Sequence, residues 1–231
     1  MVKLAVAFKV GEQAVLRGEE GGALLFRGRL TIDADGAPCA YHPDGRSGLD
    51  HLANAGRPGR WWGVLTDSGK PDGTPIVQGP DDPCPGFFIS PTTLSDKSRP
   101  KNDPRRYVDS TQVPYIALPP EVRQQGGVKL GDLALVLNAR NGRRVAALFA
   151  DGGPKGKLGE GSIALAKALG IPDSPRSGGQ KDDVIYLVFP GNPVPWPTPF
   201  PTIEGLVDEG FARWGGMARL REAFPEYAAA I

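Results

Sequence analysis

Two carboxylates nine positions apart, Asp151 and Glu160, bound a loop that holds Gly152, Gly153, Pro154, Gly156 and Gly159. The apolar run Val145 to Ala150 has the character of a strand and delivers Asp151 to the start of that loop. Glu160 closes the loop just ahead of a short helix. A carboxyl pair fixed by the framework yet open to a ligand suits acid/base work on a bond placed between them. Partial burial behind Ala146-Ala-Leu-Phe-Ala150 raises the Asp151 pKa and makes it the expected general acid. Glu160, beside a helix N-terminus, is expected to stay anionic and act as the general base. Neighbours that separate two carboxyl pKa values are how one site obtains both an acid and a base. The plainer reading of the same residues is that Asp151 caps a turn and Glu160 supports the helix entry.

Two other motifs cross this loop and fail on spacing. Gly152 to Lys157 has the look of a phosphate loop, but its glycines stand one residue too close for GxxxxGK[ST], and Leu158 occupies the place of the magnesium-binding hydroxyl. Gly159-Glu-Gly-Ser-Ile-Ala164 fits GxGxxA, yet seven residues separate it from the preceding strand, whereas a dinucleotide turn begins at the strand end.

The rest of the chain must position this pair. Its 231 residues fit one domain, or one with an appendage, and a net charge of +1 gives no reason to expect nucleic acid or an anionic membrane as partner. No apolar run approaches the ~20 residues of a membrane span. The abundance of glycine and proline favours turns and short strands over long helices. Strands are expected at Val2 to Val10, Ala14 to Arg17, Ala23 to Phe26, Leu30 to Ile32, Trp61 to Asp67, Pro75 to Gln78, Gly86 to Ser90, Val113 to Leu118, Asp132 to Asn138, Arg143 to Ala150 and Asp183 to Phe189. Asn141-Gly142 is a hairpin signal. Gly48 to Asn54 reads as one or two helical turns, and Pro91 to Arg106 as a long surface loop of the kind that carries function. Ser162 caps the helix after Glu160, Gly170 fits its C′ position, and Pro172 blocks its continuation. Six prolines between Pro190 and Pro201 make an extended connector, after which Ile203, Leu206, Val207, Phe211, Trp214, Met217 and Leu220 recur at helical spacing, a stripe for packing. The fold class is therefore α+β and β-rich, a β-barrel being the favoured architecture. Residues 1–190 form the expected catalytic domain, and 191–231 a proline-rich connector with a helical C-terminal tail.

Cys39 and Cys84, the only cysteines, leave three readings open: unlinked thiols, one disulfide, or a zinc site with His42 and His51. His42 and His51 read more simply as hydrogen-bonded structural residues.

Several segments in order resemble the fungal-type chitosanases of glycoside hydrolase family 75: Ile32-Asp-Ala-Asp-Gly-Ala-Pro38, Tyr41-His-Pro-Asp44, Gly48-Leu-Asp50, Leu52-Ala-Asn-Ala-Gly56, Trp61-Trp-Gly-Val64, Pro75-Ile-Val-Gln-Gly79, Tyr107-Val-Asp-Ser110, Val113-Pro-Tyr-Ile116, Leu130-Gly-Asp132 and Val184-Ile-Tyr-Leu-Val-Phe-Pro190. The similarity runs from about Leu25 to Gly191 and carries the family's acidic pair as Asp151 and Glu160. It implies inverting endo-hydrolysis of β-1,4-linked glucosamine chains with no metal or other cofactor, on a barrel that is double-psi-like by analogy. The expected partners are chitosan or glucosamine oligosaccharides, bound by a monomer. Secretion is implied by the resemblance. The opening Met-Val-Lys-Leu-Ala-Val-Ala-Phe-Lys-Val10 does not read as a signal peptide, which leaves a cytoplasmic location or a start after a removed signal. A cationic polymer calls for a locally acidic groove, for which Asp33, Asp35, Asp50, Asp67 and Asp109 offer charge. The rings of Tyr41, Trp61, Trp62 and Tyr115 are candidates to stack on sugars, one of the two adjacent tryptophans being expected in the core. Asp33, Asp35, Tyr41, Asn54, Trp61 and Tyr115 are the expected substrate-binding set. The rival readings are a cleaver of chitin or peptidoglycan, and a non-catalytic carbohydrate-binding module.

Overall fold

The computed structural model describes residues 4–18 and 22–230. The start of the first expected strand, Val2 and Lys3, lies outside them. A hairpin of β1 (Leu4–Val10) and β2 (Gln13–Gly18) leads into β3 (Leu24–Asp33), the expected strands at 23–26 and 30–32 being one continuous element. Residues 34–114 then hold little regular structure: α1 (Leu52–Ala55) and the two-residue strands β4 (Gly56–Arg57) and β5 (Arg60–Trp61). The expected strands at 61–67, 75–78 and 86–90 shrink here to β5 and the single bridges Thr66–Pro75 and Val77–Phe88. Next come β6 (Tyr115–Leu118), α2 (Pro120–Gly126), β7 (Leu133–Asn138), β8 (Arg144–Gly152), β9 (Glu160–Ser162), α3 (Ile163–Ala168) and β10 (Gln180–Phe189). The tail forms α4 (Phe200–Trp214) and α5 (Gly216–Ala223).

Six strands close on themselves in the order β3-β10-β7-β8-β6-β9, with β9 returning to β3. The pairs β3–β9 and β6–β8 are parallel and the other four antiparallel. Closure leaves no free edge among these strands. The fold is a β-rich α+β barrel with short helices and a helical C-terminal region.

Alternation along the strands fills two apolar layers. Phe26, Leu30, Ile32, Ile116, Phe149, Val184 and Tyr186 point into the barrel. Leu25, Leu135, Leu148, Ile185 and Leu187 point outward and are covered by Ile203, Val207, Phe211 and Trp214 of α4 and by Leu220 of α5. The tail's apolar stripe is thus a wall of the second core. A third cluster, Ala37, Ala40, Tyr41, Ala55, Trp61, Val64 and Phe88, lies within the irregular segment and gives it its own centre.

Cys39 and Cys84 are joined as a disulfide with Cα atoms 5.5 Å apart, which pins the two ends of that segment's loop together. Their sulfurs are therefore not zinc ligands. His42 packs its ring edge against Phe87 and pairs with Asp44, while His51 is exposed ahead of α1.

Candidate active site

Strand register brings the two central carboxylates together. Ala117 of β6 lies opposite Asp151 of β8 on one side and opposite Glu160 of β9 on the other. Residues in register across a ladder point to the same face, so the two carboxyls share a surface. With strands ~4.8 Å apart, their backbones stand roughly 9.6 Å from each other. The eight residues between them supply the turn; the intervening strand sets the distance.

A β-bulge decides that Asp151 faces this surface. Ile116 pairs with Phe149 but Ala117 with Asp151, so Ala150 is an extra residue on β8. Phe149 points into the barrel and Ala150 away from it. Strict alternation would return residue 151 to the barrel interior; the bulge keeps it outward beside Ala150. Glu160 needs no such device, because its neighbour Gly161 already faces inward, where a Cβ would lie 2.7 Å from Leu165 Cδ2 and 2.8 Å from the Tyr115 carbonyl oxygen. Gly153, which donates its N–H to the Leu118 carbonyl, leaves space beside the Glu160 carboxyl, for a Cβ there would stand 3.3 Å from Oε2.

The expectation of Glu160 at a helix entry is corrected. Glu160 is the first residue of β9, in ladders with Thr31 and Ala117, and Ser162 is the N-cap of α3, its hydroxyl accepting from Leu165 N at 3.1 Å. The helix dipole therefore offers Glu160 little. Burial, then the Asp151 charge, pushes its pKa up to about 7, against the pull of Lys157. Burial raises Asp151 too, but three donors converge on its Oδ1: Thr93 Oγ1 at 2.5 Å, Gly152 N at 2.7 Å and Thr93 N at 3.1 Å. These hydrogen bonds favour the anion, and Glu160 has no counterpart to them among the described residues. The environment thus favours Asp151 as the anion and Glu160 as the proton carrier, the reverse of the expected division.

Two further carboxyls complete the cluster. Asp33, at the end of β3, accepts from Asp35 N at 2.8 Å; burial and the charges of Asp35, Asp151 and Glu160 hold its pKa well above the usual range. Asp35 is pushed up to about 8 by burial first and Asp151 next, against hydrogen bonds from Tyr41 and Ser90. Geometry agrees independently. Ser90 Oγ stands 3.0 Å from both Asp35 Oδ1 and the Gly63 carbonyl oxygen, and one hydroxyl proton cannot serve both acceptors. A protonated Asp35 resolves this by donating to Ser90 while Ser90 donates to Gly63.

The remaining expected residues have other tasks. Tyr41 is buried and donates its hydroxyl to Asp35 Oδ1 at 2.9 Å. Tyr115 is fully buried, and its hydroxyl donates to the Asp35 carbonyl oxygen at 2.9 Å. Trp61 is buried against Phe88. Rings enclosed on both faces have none to offer a sugar, so the stacking expected of these three is corrected. The two tyrosines hold Asp35, and Trp61 belongs to the third core. Of the tryptophan pair it is Trp62 that is exposed. Asn54 gives its side-chain amide to both oxygens of Asp50 at 2.9 Å, next to the cluster but not in it. Asp67 and Asp109 accept from the backbone of their own turns, so their charge is used locally.

Three hydroxyl residues around the site escaped the sequence reading, Ser90, Thr93 and Ser110, and Ser162 was expected only as a helix cap. Ser110 donates to the Asp33 carbonyl oxygen at 2.5 Å and accepts from Ile163 N, and Ser162 accepts from Tyr115 N, so both lock β3, β6 and α3 together. Only Thr93 carried a signal, lying in the 91–106 loop read as functional. Beside Glu160, a hollow of about 230 Å³ is lined by Arg29, Thr31, Pro154, Lys157, Leu158 and Gly159.

A closed barrel with paired carboxyls on its outer face has the form of a site for hydrolysis between two bound groups, and the chain is a glycoside hydrolase. Residues 86–199, which include β6 to β10 and both carboxylates, match the family of fungal chitosanases of glycosyl hydrolase group 75. No curated protein matches it.

Proposed function

We propose that the protein is an endo-acting chitosanase that cleaves β-1,4-glucosaminide links with inversion, Glu160 acting as general acid and Asp151 as general base. The observation that carries this reading is the shared register partner Ala117, one strand between two like-facing carboxyls. Inverting glycosidases hold their carboxyls about 6.5–9.5 Å apart to admit a water, and retaining ones about 5–5.5 Å. A two-strand backbone spacing supports the wider class. Glu160, protonated up to about pH 7, gives its proton to the glycosidic oxygen. Asp151 keeps Oδ1 in its three hydrogen bonds and turns Oδ2 to a water on the opposite sugar face, from which it takes a proton as the water attacks the anomeric carbon. The proton count balances over one turnover, and both groups are reset by exchange with solvent.

The surrounding acids support a cationic substrate, since a glucosamine ammonium that enters is attracted to the Asp151 carboxylate and favours ionisation of the carboxyls around it. The proposed substrates are chitosan or its oligosaccharides, taken by a monomer. The disulfide supports work in an oxidising, extracellular setting. Among the described residues no helix is long and apolar enough to cross a membrane.

The test is hydrolysis by Glu160→Gln and Asp151→Asn, assayed on chitosan, chitin and peptidoglycan in parallel. Each variant should lose roughly 100-fold or more of the chitosan rate while its circular dichroism is unchanged. The first product seen by NMR from the parent enzyme should be the α-anomer. A variant that keeps most of its turnover, or an initial β-product, would remove this mechanism.

A further inference from the structure

The chemistry described so far uses the acidic floor of the cleft and leaves one large side chain unexplained. Trp62 is 61% exposed, the most open large apolar residue among those described. Its indole is nonetheless held, for Nε1 donates to the Asn54 carbonyl at 2.7 Å and its backbone N–H to the Ala55 carbonyl at 3.0 Å. A ring pinned at its edge and open to solvent is a preformed flat surface that loses little freedom when something lies on it. Beside it is a hollow of about 440 Å³ whose other walls are Ala53, Gly56, Arg57 and Arg60. The two arginines are exposed on the β4–β5 turn, and no carboxylate is among those walls.

This surface adjoins the cleft. The next residue, Gly63, is the one whose carbonyl accepts from Ser90, and a Cβ on it would stand 3.6 Å from Asp35 Oδ1. Trp62 is thus one residue along the main chain from a backbone that packs against Asp35. The charge there is opposite to that of the floor. The Asp151 carboxylate and its acidic neighbours make the cleft favourable to ammonium groups, whereas two guanidinium groups disfavour them at the rim and offer donors to neutral oxygen acceptors.

We infer that Trp62, Arg57 and Arg60 form an outlying sugar-binding platform that prefers an uncharged N-acetylglucosaminyl unit of a partly acetylated chain. The indole stacks on the apolar face of the sugar, and a guanidinium donates to the acetamide carbonyl. The inference rests on the reading of the protein as a chitosan hydrolase, and adds to it a position at which acetylation helps.

Kinetics of the full-length enzyme on fully deacetylated and partly acetylated chitosan of equal chain length test it. Trp62→Ala should raise KM on the partly acetylated polymer by about 5- to 10-fold with little change in kcat, and Trp62→Phe should restore most of the loss. Replacing both arginines, R57E with R60E, should reverse the preference in favour of the deacetylated polymer. Unchanged KM in Trp62→Ala on both polymers would overturn the platform. Equal losses on both, with no shift from the arginine changes, would overturn its preference for the acetylated unit. If the parent enzyme cleaves neither polymer, the hydrolase reading fails instead. The platform is then decided by tryptophan fluorescence on adding the acetylated polymer, whose change must disappear in Trp62→Ala.

Discussion

In the proposed mechanism a single hydroxyl, that of Thr93, sets the working range of Asp151 as a base. Thr93 reaches the carboxylate from a loop nearly sixty residues earlier, and its Oγ1 and N–H both hold Oδ1. Replacing Thr93 by valine keeps the shape and removes one of three anion-stabilising bonds. A hydrogen bond to a charged group is worth about 1.5–3 kcal/mol, and 1.36 kcal/mol corresponds to one pKa unit. The Asp151 pKa should therefore rise by about one unit or more in Thr93→Val. A base works only when deprotonated, so the acidic limb of kcat/KM against pH should move to higher pH. The alkaline limb, set near 7 by Glu160, should stay close to its place. Identical pH profiles for the two proteins would show that Thr93 does not govern Asp151. Around Asp35 the hydroxyls do different work: Tyr41 donates to the carboxyl, Tyr115 to the backbone carbonyl, and Ser90, with one proton between two acceptors, calls for a protonated Asp35.

Among the elements, β6 matters most, although it is only four residues long and carries no titratable group at its centre. It separates the two carboxylates by one strand, and the bulge opposite it turns Asp151 outward. Its close contact with β9 depends on Gly161, which faces Ile116 with no room for a side chain. Gly161→Ala would press a methyl against the backbone oxygen of Tyr115 as well as against Leu165, and backbone cannot step aside as a rotamer can. We expect a loss of about 1–3 kcal/mol, read as a lower urea midpoint at unchanged slope. Activity should fall with it if the ladder shifts, because Glu160 is the adjoining residue. A midpoint equal to that of the parent would mean that β9 has slack which its contacts do not suggest.

At the scale of the whole molecule, the barrel is stabilised by two apolar layers, whereas the segment 34–114 that roofs the site has a small core and few backbone ladders. The Cys39–Cys84 bridge makes up part of that deficit. Closing a loop of 45 residues restricts the unfolded chain by about 4 kcal/mol in the chain-entropy view. Replacing both cysteines by serine should cost up to that amount in global stability. In native-state hydrogen exchange, protection should fall first around Ala37, Ala40 and Val64, while the barrel strands keep theirs. Uniform loss across barrel and roof would show that the roof has no independent stability. Since Asp35, Tyr41 and Ser90 come from this segment and Asp151 and Glu160 from the barrel, loosening one against the other should also weaken substrate binding.

Much of this was determined by sequence alone. Short apolar runs marked β7, β8 and β10, and the hairpin signal Asn141-Gly142 joins β7 to β8. Ser162 and Gly170 bracket α3 as their capping chemistry requires, Gly170 with φ +68°. The acidic pair and the family stood out because loop glycines and catalytic carboxyls are local in the chain. Other features are not local. The helix α2 carries too short a pattern to be noticed, and β9 has three residues whose ladder partners lie far off at Thr31 and Ala117. Trp61 and Trp62 are indistinguishable as neighbours until the fold buries one of them. The different environments of Asp151 and Glu160 come from tertiary structure for the same reason. A carboxyl's pKa answers to the donors, charges and solvent within a few ångströms, and those around Asp151 and Glu160 come from Thr93, Asp33, Asp35 and Lys157, most of them distant in the chain.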